Sequence, residues 1–118
     1  MKKRILITDD DEDMQDIYKT IFERKGYEVE VVGEANKIFE NNYTIPDLFL
    51  LDRQLSGHDG LNVCKFLRDQ PATKDIPVII VSASPGLSQF APQAGANDFI
   101  EKPFEKKKLL DMVSKWIK

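Results

Sequence analysis

The chain has 118 residues, a formal net charge of −3 and a hydrophobic fraction of 42 %. This length favours one domain with a single core, spanning residues 1–118. The weakly acidic charge gives no reason to expect direct nucleic-acid binding. Cys64 is the single cysteine, which excludes an intramolecular disulfide framework. The apolar run after the basic start has only three residues, too few for a signal peptide or a membrane span, so a cytoplasmic protein without membrane contact is expected.

Short apolar runs alternate with helical patterns along the chain, which is typical of an α/β fold with a parallel sheet. The first helix shows the clearest periodicity, since its apolar residues recur at helical spacing up to a stop at Gly26. The predicted strands cover, in order, residues 5–7, 28–32, 48–51, 78–81 and 97–100. The predicted helices cover residues 14–22, 35–40, 61–68, 87–91 and 109–117.

These elements predict a five-stranded doubly wound parallel sheet with the strand order 2-1-3-4-5. In such sheets ligands bind beyond the carboxyl ends of the strands, at the point where the strand order reverses, here between strands one and three. The fourth helix is the weakest part of the pattern, because Pro85, Gly86 and Pro92 interrupt residues 84–94. Interior proline costs a helix roughly 3 kcal/mol, so a short or irregular helix is expected there.

Charged and polar residues follow the predicted strands at the points where the strands end. Asp9 and Asp10 follow the first strand and Asp52 the third; Ser82 and Lys102 follow the last two. Carboxylates suit Mg²⁺, which takes oxygen ligands and keeps several waters, while a hydroxyl and an ammonium suit phosphoryl oxygens. From the residues alone, Asp10 and Asp52 are favoured as direct ligands of Mg²⁺, with Asp9 acting through a bound water.

Each of these residues also has a purely structural explanation. Aspartates are favoured at helix N-caps and in the first helical turn, which is sufficient to explain Asp11. Asp52 could form a turn, but a carboxylate at the end of an apolar run and close to two others is costly without a cation. The same carboxylate could be a nucleophile that forms an aspartyl phosphate. Alone, Ser82 would be a capping or core hydroxyl and Lys102 a solvated surface charge.

Taken together, these features resemble the receiver domain of two-component response regulators. The resemblance covers essentially the whole chain and depends on motifs at residues 5–10 (ILITDD), 50–52 with 57–60 (LLD and GHDG), 76–83 (IPVIIVSA) and 94–104 (AGANDFIEKPF). It implies a flavodoxin-like fold and a phosphoacceptor module of a phosphorelay. Such a module is not an enzyme for external substrates, although it catalyses its own phosphoryl transfer and autodephosphorylation.

The resemblance also implies a chemical role for each matched residue. Asp52 corresponds to the phosphoacceptor. Asp9 and Asp10 correspond to the acidic metal pair, and the backbone carbonyl of Gln54 to a further ligand of Mg²⁺. Lys102 corresponds to the lysine that contacts the phosphoryl group.

Two further matched residues correspond to the conformational switch: Ser82, whose hydroxyl would move onto the phosphoryl group, and Phe99, the aromatic switch position. The implied partners are a sensor histidine kinase or phosphotransfer protein, a downstream target, and a second copy of the chain after phosphorylation. Two departures from the family pattern lie beside the acceptor, where Arg53 is an unusual polar residue and Ser56 replaces the usual proline. The resemblance therefore leaves the phosphorylation site intact and the output surface at residues 84–94 open.

Two other classes of protein compete with this interpretation. A metal-dependent aspartyl-phosphate phosphatase would place a nucleophile and an acid two residues apart, as Asp9 and Asp11 are, but the chain lacks room for a cap domain. A flavodoxin-like cofactor binder needs a phosphate loop rich in Ser, Thr or Gly with free helix N–H groups. The corresponding loop here is acidic and would repel phosphate unless a metal ion intervened.

Overall fold

The computed structural model describes residues 2–55, 57–84 and 86–117, so Ser56 and Pro85 lie outside the described residues. The strands are β1 (Arg4–Thr8), β2 (Glu28–Val32), β3 (Leu48–Asp52), β4 (Gln54–Leu55), β5 (His58–Asp59), β6 (Val78–Ser82) and β7 (Asp98–Glu101). The helices are α1 (Glu12–Arg24), α2 (Ala35–Phe39), α3 (Gly60–Arg68), α4 (Leu87–Gln93) and α5 (Lys106–Trp116). Among these helices none is long and apolar enough to cross a membrane.

Five of the strands form one parallel sheet in the order β2-β1-β3-β6-β7. This confirms the predicted doubly wound order, because β6 and β7 are the fourth and fifth strands of that sheet. The two extra strands, β4 and β5, pair antiparallel as a small hairpin directly after β3. The sequence predicted only a turn there, since strands of two residues are too short to show an alternating pattern.

The core lies on both faces of the sheet, as continuous apolar strands require. In β1, Leu6 packs against the face covered by α2, α3 and α4, whereas Ile5 and Ile7 pack against the face covered by α1 and α5. All three residues are fully buried. Because successive side chains of a strand point to opposite faces, an apolar run without polar interruptions supplies both core clusters at once.

Helix α1 begins earlier than its apolar pattern indicated. Asp11 is the N-cap residue, and its Oδ1 accepts hydrogen bonds from the backbone N–H groups of Asp13 (2.9 Å) and Met14 (3.4 Å). This confirms the capping explanation of Asp11. The apolar spacing could not show the first turn, because its residues are exposed and acidic.

Helix α4 is short, as predicted, but extends two residues beyond the expected single turn at 87–91. Pro92 lies inside the helix and lacks a backbone N–H group, so it removes one helical hydrogen bond. The helix nevertheless continues, because the N–H groups of Ala94 and Gly95 donate to the carbonyls of Phe90 (3.2 Å) and Pro92 (3.0 Å).

Candidate functional site

The carboxyl ends of four neighbouring strands meet at one edge of the sheet. Asp52 is the last residue of β3 and Ser82 the last of β6. Asp9 directly follows β1, and Lys102 directly follows β7. The parallel register aligns the end of β3 with the ends of β1 and β6, so the fold brings together the residues that the sequence placed at separate strand ends.

Asp52 lies in the middle of this edge and is 7 % exposed. Its backbone N–H donates to the hydroxyl oxygen of Thr8 at 3.2 Å. Of its two carboxylate oxygens, Oδ1 accepts a hydrogen bond from the backbone N–H of Gln54 (2.9 Å), and Oδ2 accepts one from Nζ of Lys102 (2.8 Å). The carboxylate is therefore oriented through both oxygens while one side of it still reaches solvent.

The loop after Asp52 approaches the strand end closely. The backbone N–H of Gly60 donates to the carbonyl of Arg53 at 2.6 Å. A side chain at Gly60 would collide with the backbone carbonyl of Asp52, so this close approach requires glycine. The contact holds in place the hairpin that carries Gln54.

Asp9 is the most deeply buried carboxylate at this edge, with 1 % exposure. Its Oδ1 accepts a hydrogen bond from the backbone N–H of Asp11 (2.9 Å), and its Oδ2 lies 3.5 Å from Nζ of Lys102. Burial raises the pKa of the Asp9 carboxyl, and the charge of Asp52 adds to this effect; the bond from Asp11 and the charge of Lys102 offset it only in part. A cation at this position would therefore stabilise the ionised form.

Lys102 bridges the two carboxylates through its ammonium group, and its side chain is 26 % exposed. Burial alone would lower the pKa of Lys102, but its hydrogen bond to Asp52 and the charges of Asp52 and Asp9 raise it above the ordinary value. The backbone N–H of Lys102 donates to the carbonyl of Ser82 at 2.9 Å, and the peptide bond to Pro103 is cis. The ammonium is thus a fixed positive charge beside the acceptor candidate.

The three successive aspartates of the acidic loop occupy different environments. Asp9 is buried against Lys102, Asp10 is exposed, and Asp11 caps α1. The side-chain amide of Gln15 donates to the backbone carbonyl of Asp9 at 2.5 Å, which ties the loop to α1. One sequence motif therefore combines a site residue, a solvent-facing carboxylate and a helix cap.

The remaining predicted site residues surround this centre. Ser82 is buried, and its Oγ accepts a hydrogen bond from the backbone N–H of Ser84 (2.9 Å), so the hydroxyl is bonded within its own loop. The side-chain amide of Gln54 donates to Oγ of Ser84 at 3.0 Å. Phe99 is half-buried on β7 and packs against the core cluster that includes Ala91 of α4.

Sequence reasoning missed two residues that contact this centre or its rim, and it missed the contacts of a third. Thr8 orients the backbone of Asp52, and its signal was a hydroxyl residue in an otherwise apolar run. Ser84 accepts from Gln54 across the mouth of the site, and nothing in the local pattern indicated this contact. Arg53 was recognised as unusual, but its neighbours could not be predicted because they belong to other parts of the chain.

The carboxylates of Asp9 and Asp52 fit Mg²⁺ as a pair of ligands and not as a cluster of three or more. Within residues 2–55, 57–84 and 86–117, no group of three or more His, Cys, Asp and Glu side chains is placed to hold a metal ion. Mg²⁺ usually needs only one or two carboxylates, because it keeps several of its waters. Asp9 and Asp52 supply such a pair: both contact the same ammonium, and the pKa of Asp9 is raised by burial and by its neighbour.

The whole chain belongs to the family of response regulator receiver domains, whose family model matches residues 5–114. It is therefore a receiver domain of two-component response regulators. This family is a signalling family, so the alternative of a metal-dependent phosphatase has no support from it.

Two curated relatives show how much of a longer protein the chain covers. It is 31 % identical over 116 residues to the DNA-binding response regulator MtrA of Mycobacterium tuberculosis, covering 96 % of this chain and 50 % of that protein. It is 32 % identical over 113 residues to the phosphate regulon transcriptional regulatory protein PhoB of Escherichia coli, covering 93 % of this chain and 49 % of that protein. The chain thus spans about half the length of the curated relatives it matches.

Solved structures show the same fold over almost the entire chain. The signal receiver domain of a histidine kinase from Syntrophus aciditrophicus is 30 % identical, has a TM-score of 0.87, and matches over 98 % of this chain and 89 % of that one. The receiver domain of the sensor histidine kinase PA1611 from Pseudomonas aeruginosa is 26 % identical, with a TM-score of 0.87 and coverage of 99 % and 98 %. In that relative a magnesium ion is coordinated in the active site cleft.

Proposed function

We propose that this receiver domain accepts a phosphoryl group on Asp52 from the phosphohistidine of a sensor histidine kinase or a phosphotransfer protein. The observation that carries the proposal is the position of the Asp52 carboxylate, which lies at the end of β3 with Oδ2 2.8 Å from Nζ of Lys102. A largely buried carboxylate beside a fixed ammonium is suited to attack an anionic phosphoryl donor, because the positive charge reduces the repulsion between them.

In this reaction a carboxylate oxygen of Asp52 forms a bond to phosphorus while the bond between phosphorus and the donor's imidazole nitrogen breaks. The imidazole leaves with the electron pair of that bond and takes a proton from solvent. Lys102 would neutralise part of the negative charge on the phosphoryl oxygens, and the N–H of Gln54 would keep the carboxylate oriented. Hydrolysis of the acyl phosphate by water would return the carboxylate, so the domain catalyses only its own modification and its reversal.

Asp9, Asp10, Asp52 and the backbone carbonyl of Gln54 would hold a Mg²⁺ ion beside the acceptor. When bound, the ion supplies charge stabilisation and orientation for the phosphoryl oxygens. The protein's own contribution is a buried carboxylate, Asp9, whose pKa is raised by burial and would be lowered by a bound cation. Magnesium in the active site cleft of the related PA1611 receiver domain supports this assignment.

Ser82 and Phe99 would convert the modification into a conformational change. The hydroxyl of Ser82 now accepts from the N–H of Ser84, and turning it onto a phosphoryl oxygen would release that bond and pull the loop inward. Phe99 packs beside α4, so it could follow this movement into the space that the loop leaves. A ligand shifts a two-state equilibrium only through contacts that differ between the states, and these two side chains would supply them.

The phosphorylated domain would act on a downstream partner or on an output domain elsewhere in the protein. MtrA is a DNA-binding response regulator, and this chain matches half of it. We therefore assign DNA contact, where it occurs, to regions outside residues 1–118, and we place the domain in the cytoplasm, where histidine kinases transfer their phosphoryl groups. A phosphorylation-dependent homodimer is a further assembly to test.

Intact-mass spectrometry after incubation with acetyl phosphate and Mg²⁺ tests the acceptor directly. The parent should gain one phosphoryl group, and Asp52→Asn should gain none, because the amide keeps the shape of the side chain but is not a nucleophile. Thr8→Val is the matched control at the same strand end: it removes the bond to the backbone of Asp52 and leaves the carboxylate in place. Modification of Asp52→Asn at the parent's rate would show that another residue is the acceptor.

A further inference from the structure

Arg53 connects the loop that follows the acceptor to helix α4. Its guanidinium carbon lies 5.3 Å from the centroid of the Phe90 ring, and its Nε lies 3.7 Å from Oδ1 of Asp59. The backbone of Arg53 is fixed, because its N–H donates to the carbonyl of Val81 at 2.8 Å. The residue is therefore anchored next to Asp52 while its side chain reaches a different helix.

Helix α4 buries little side-chain area among the residues whose side chains the structure describes. Ala91 is the one buried side chain among the helical residues whose side chains the structure describes, and Ala94 is buried just beyond the helix end. Alanine side chains bury little apolar area, so their contribution to holding a helix is small. Phe90 is the largest described side chain of α4, and it is 40 % exposed.

The ring of Phe90 also lies against the start of its own helix. Gly86 precedes α4 with a positive φ of 83°, and a Cβ built there would lie only 3.0 Å from the edge of the ring. The ring thus packs over the backbone of the N-cap residue on one side and meets the guanidinium of Arg53 on another. A displacement of the ring would consequently disturb the first turn of α4.

We propose that Arg53 is a positioning residue that holds α4 in its unphosphorylated arrangement through Phe90, and that phosphorylation of Asp52 weakens this hold. The inference depends on the proposed function of Asp52. Arg53 follows Asp52 directly, so their Cα atoms lie about 3.8 Å apart and the phosphoryl group would add negative charge to the neighbouring side chain. A guanidinium can form charge-assisted, bidentate hydrogen bonds to phosphate oxygens, which the aromatic face of Phe90 does not offer.

This connection is separate from the one through Ser82 and Phe99. Those two residues lie on β6 and β7, whereas Arg53 reaches α4 from the loop after β3. The contact between Arg53 and Phe90 would add to the contacts that position α4 before phosphorylation. It also gives a function to the unusual residue after the acceptor.

Backbone NMR spectra of residues 86–94 test this inference, with beryllofluoride and Mg²⁺ standing in for the phosphoryl group. In Arg53→Gln, the resonances of α4 should move toward their beryllofluoride-bound positions before anything is added, and the further change on addition should be less than half of that in the parent. Phe90→Leu should act in the same direction. The double variant should show no larger effect than either single variant, because both remove one shared contact.

Two further variants separate this contact from a general loss of structure. Arg53→Lys keeps a cation that can face the ring and should restore the parent's α4 resonances at least in part. Asp59→Asn removes the ion pair but keeps an N-cap side chain for α3, and it should leave α4 in place. If Asp59→Asn moves α4 as far as Arg53→Gln does, the ion pair is the link and the assignment to Phe90 is wrong.

Intact-mass measurements separate the role of Arg53 from the acceptor role of Asp52. Each Arg53 variant should still gain one phosphoryl group by intact mass after prolonged incubation with acetyl phosphate. If the parent and Arg53→Gln are both modified but their α4 resonances coincide in the unmodified state, the proposed role of Arg53 is wrong and the proposed role of Asp52 stands. If the parent gains no phosphoryl group, both proposals are wrong.

Discussion

The two edges of the parallel sheet place their polar groups in opposite ways. At the amino edge, the guanidinium of Arg68 donates to the carbonyls of Gly95 (2.7 Å) and Ile76 (2.6 Å) and to Oδ1 of Asn97 (2.5 Å). The same Oδ1 of Asn97 also accepts from the backbone N–H of Val78 at 2.9 Å. Donors and acceptors are matched there, and no two side chains of like charge are forced together by these contacts.

At the carboxyl edge, two carboxylates that repel each other share one ammonium. Asp9 and Asp52 are 1 % and 7 % exposed, and Lys102 contacts both. Burying carboxylates close together is unfavourable without a cation. The difference between the edges indicates that the contacts at the amino edge stabilise the fold. At the carboxyl edge, the two carboxylates still repel each other, and a bound metal ion would reduce this repulsion.

The largest effect on stability is expected at the amino edge. Arg68→Met removes bonds to carbonyls of two separate loops and should lower the free energy of unfolding by about 2–3 kcal/mol, since bonds from a charged donor are among the stronger ones. Arg68→Lys should recover only part of this loss, because one ammonium lacks the planar fork that reaches both loops. Urea unfolding measures both. A loss below about 0.5 kcal/mol in Arg68→Met, which is ordinary for surface substitutions, would contradict the comparison.

The next largest effect concerns Lys102. Lys102→Gln leaves Asp9 and Asp52 without their shared cation and should lower the free energy of unfolding by about 1–2 kcal/mol at neutral pH, less than for a fully buried pair because Lys102 is partly exposed. The pKa of Lys102 is raised in the folded protein, so its stabilisation is complete below the ordinary value of 10.5 and is lost as the pH rises through the folded value.

The difference in stability between the parent and Lys102→Gln should therefore be constant from neutral pH to about pH 10 and shrink at higher pH. It should also shrink in acid as Asp9 becomes protonated, and the raised pKa of Asp9 means that this loss begins at a higher pH than for an ordinary aspartate. Denaturation curves across this range provide the check. A difference that grows above pH 10.5 would show that the ammonium does not stabilise the folded state.

The sequence predicted the fold and the location of the site because both depend on the strands. Continuous apolar runs indicate strands buried on both faces, and the residues after them must lie at one edge once the strands are parallel. This reasoning brought Asp9, Asp52, Ser82 and Lys102 to the same place without any knowledge of side-chain contacts.

The contacts within the site could not be predicted in the same way. Whether Lys102 points at the carboxylates or into solvent depends on the path of the chain after β7, and a single lysine in a sequence carries no such information. The bond between Ser82 and Ser84 and the reach of Arg53 to Phe90 depend on side-chain rotamers in loops. The last strand was expected at residues 97–100 but lies at Asp98–Glu101. Asn97 lies just before it: its backbone N–H donates to the carbonyl of Val78, and its side-chain Oδ1 accepts from the N–H of Val78. The sequence pattern could not show this side-chain contact.

Magnesium provides a test of the repulsion at the carboxyl edge. At a free Mg²⁺ concentration ten times the dissociation constant, the parent should gain about 1.4 kcal/mol in the free energy of unfolding by mass action. Asp10→Ala removes a proposed ligand and should lose most of this gain while remaining folded without metal. Thermal unfolding with and without Mg²⁺ measures the response. An undiminished response in Asp10→Ala would remove Asp10 from the proposed metal site.

The smallest expected change in stability is at Asp11, the residue next to Asp10, and it distinguishes a helix cap from a metal ligand. Asp11 accepts from the N–H groups of Asp13 and Met14 as the N-cap of α1, so Asp11→Ala should lower the free energy of unfolding by about 1 kcal/mol. Asp11→Asn should lose much less, because its side-chain oxygen can still accept these bonds. Both variants should keep the parent's full response to Mg²⁺, since Asp11 is a helix cap and not a proposed ligand. The two adjacent substitutions should therefore have opposite effects. Asp10→Ala should lose the response to Mg²⁺ and keep its stability, whereas Asp11→Ala should lose stability and keep the response to Mg²⁺. If both variants lost the metal response equally, the acidic loop would act as one structural unit, and the division between a ligand and a cap would be wrong.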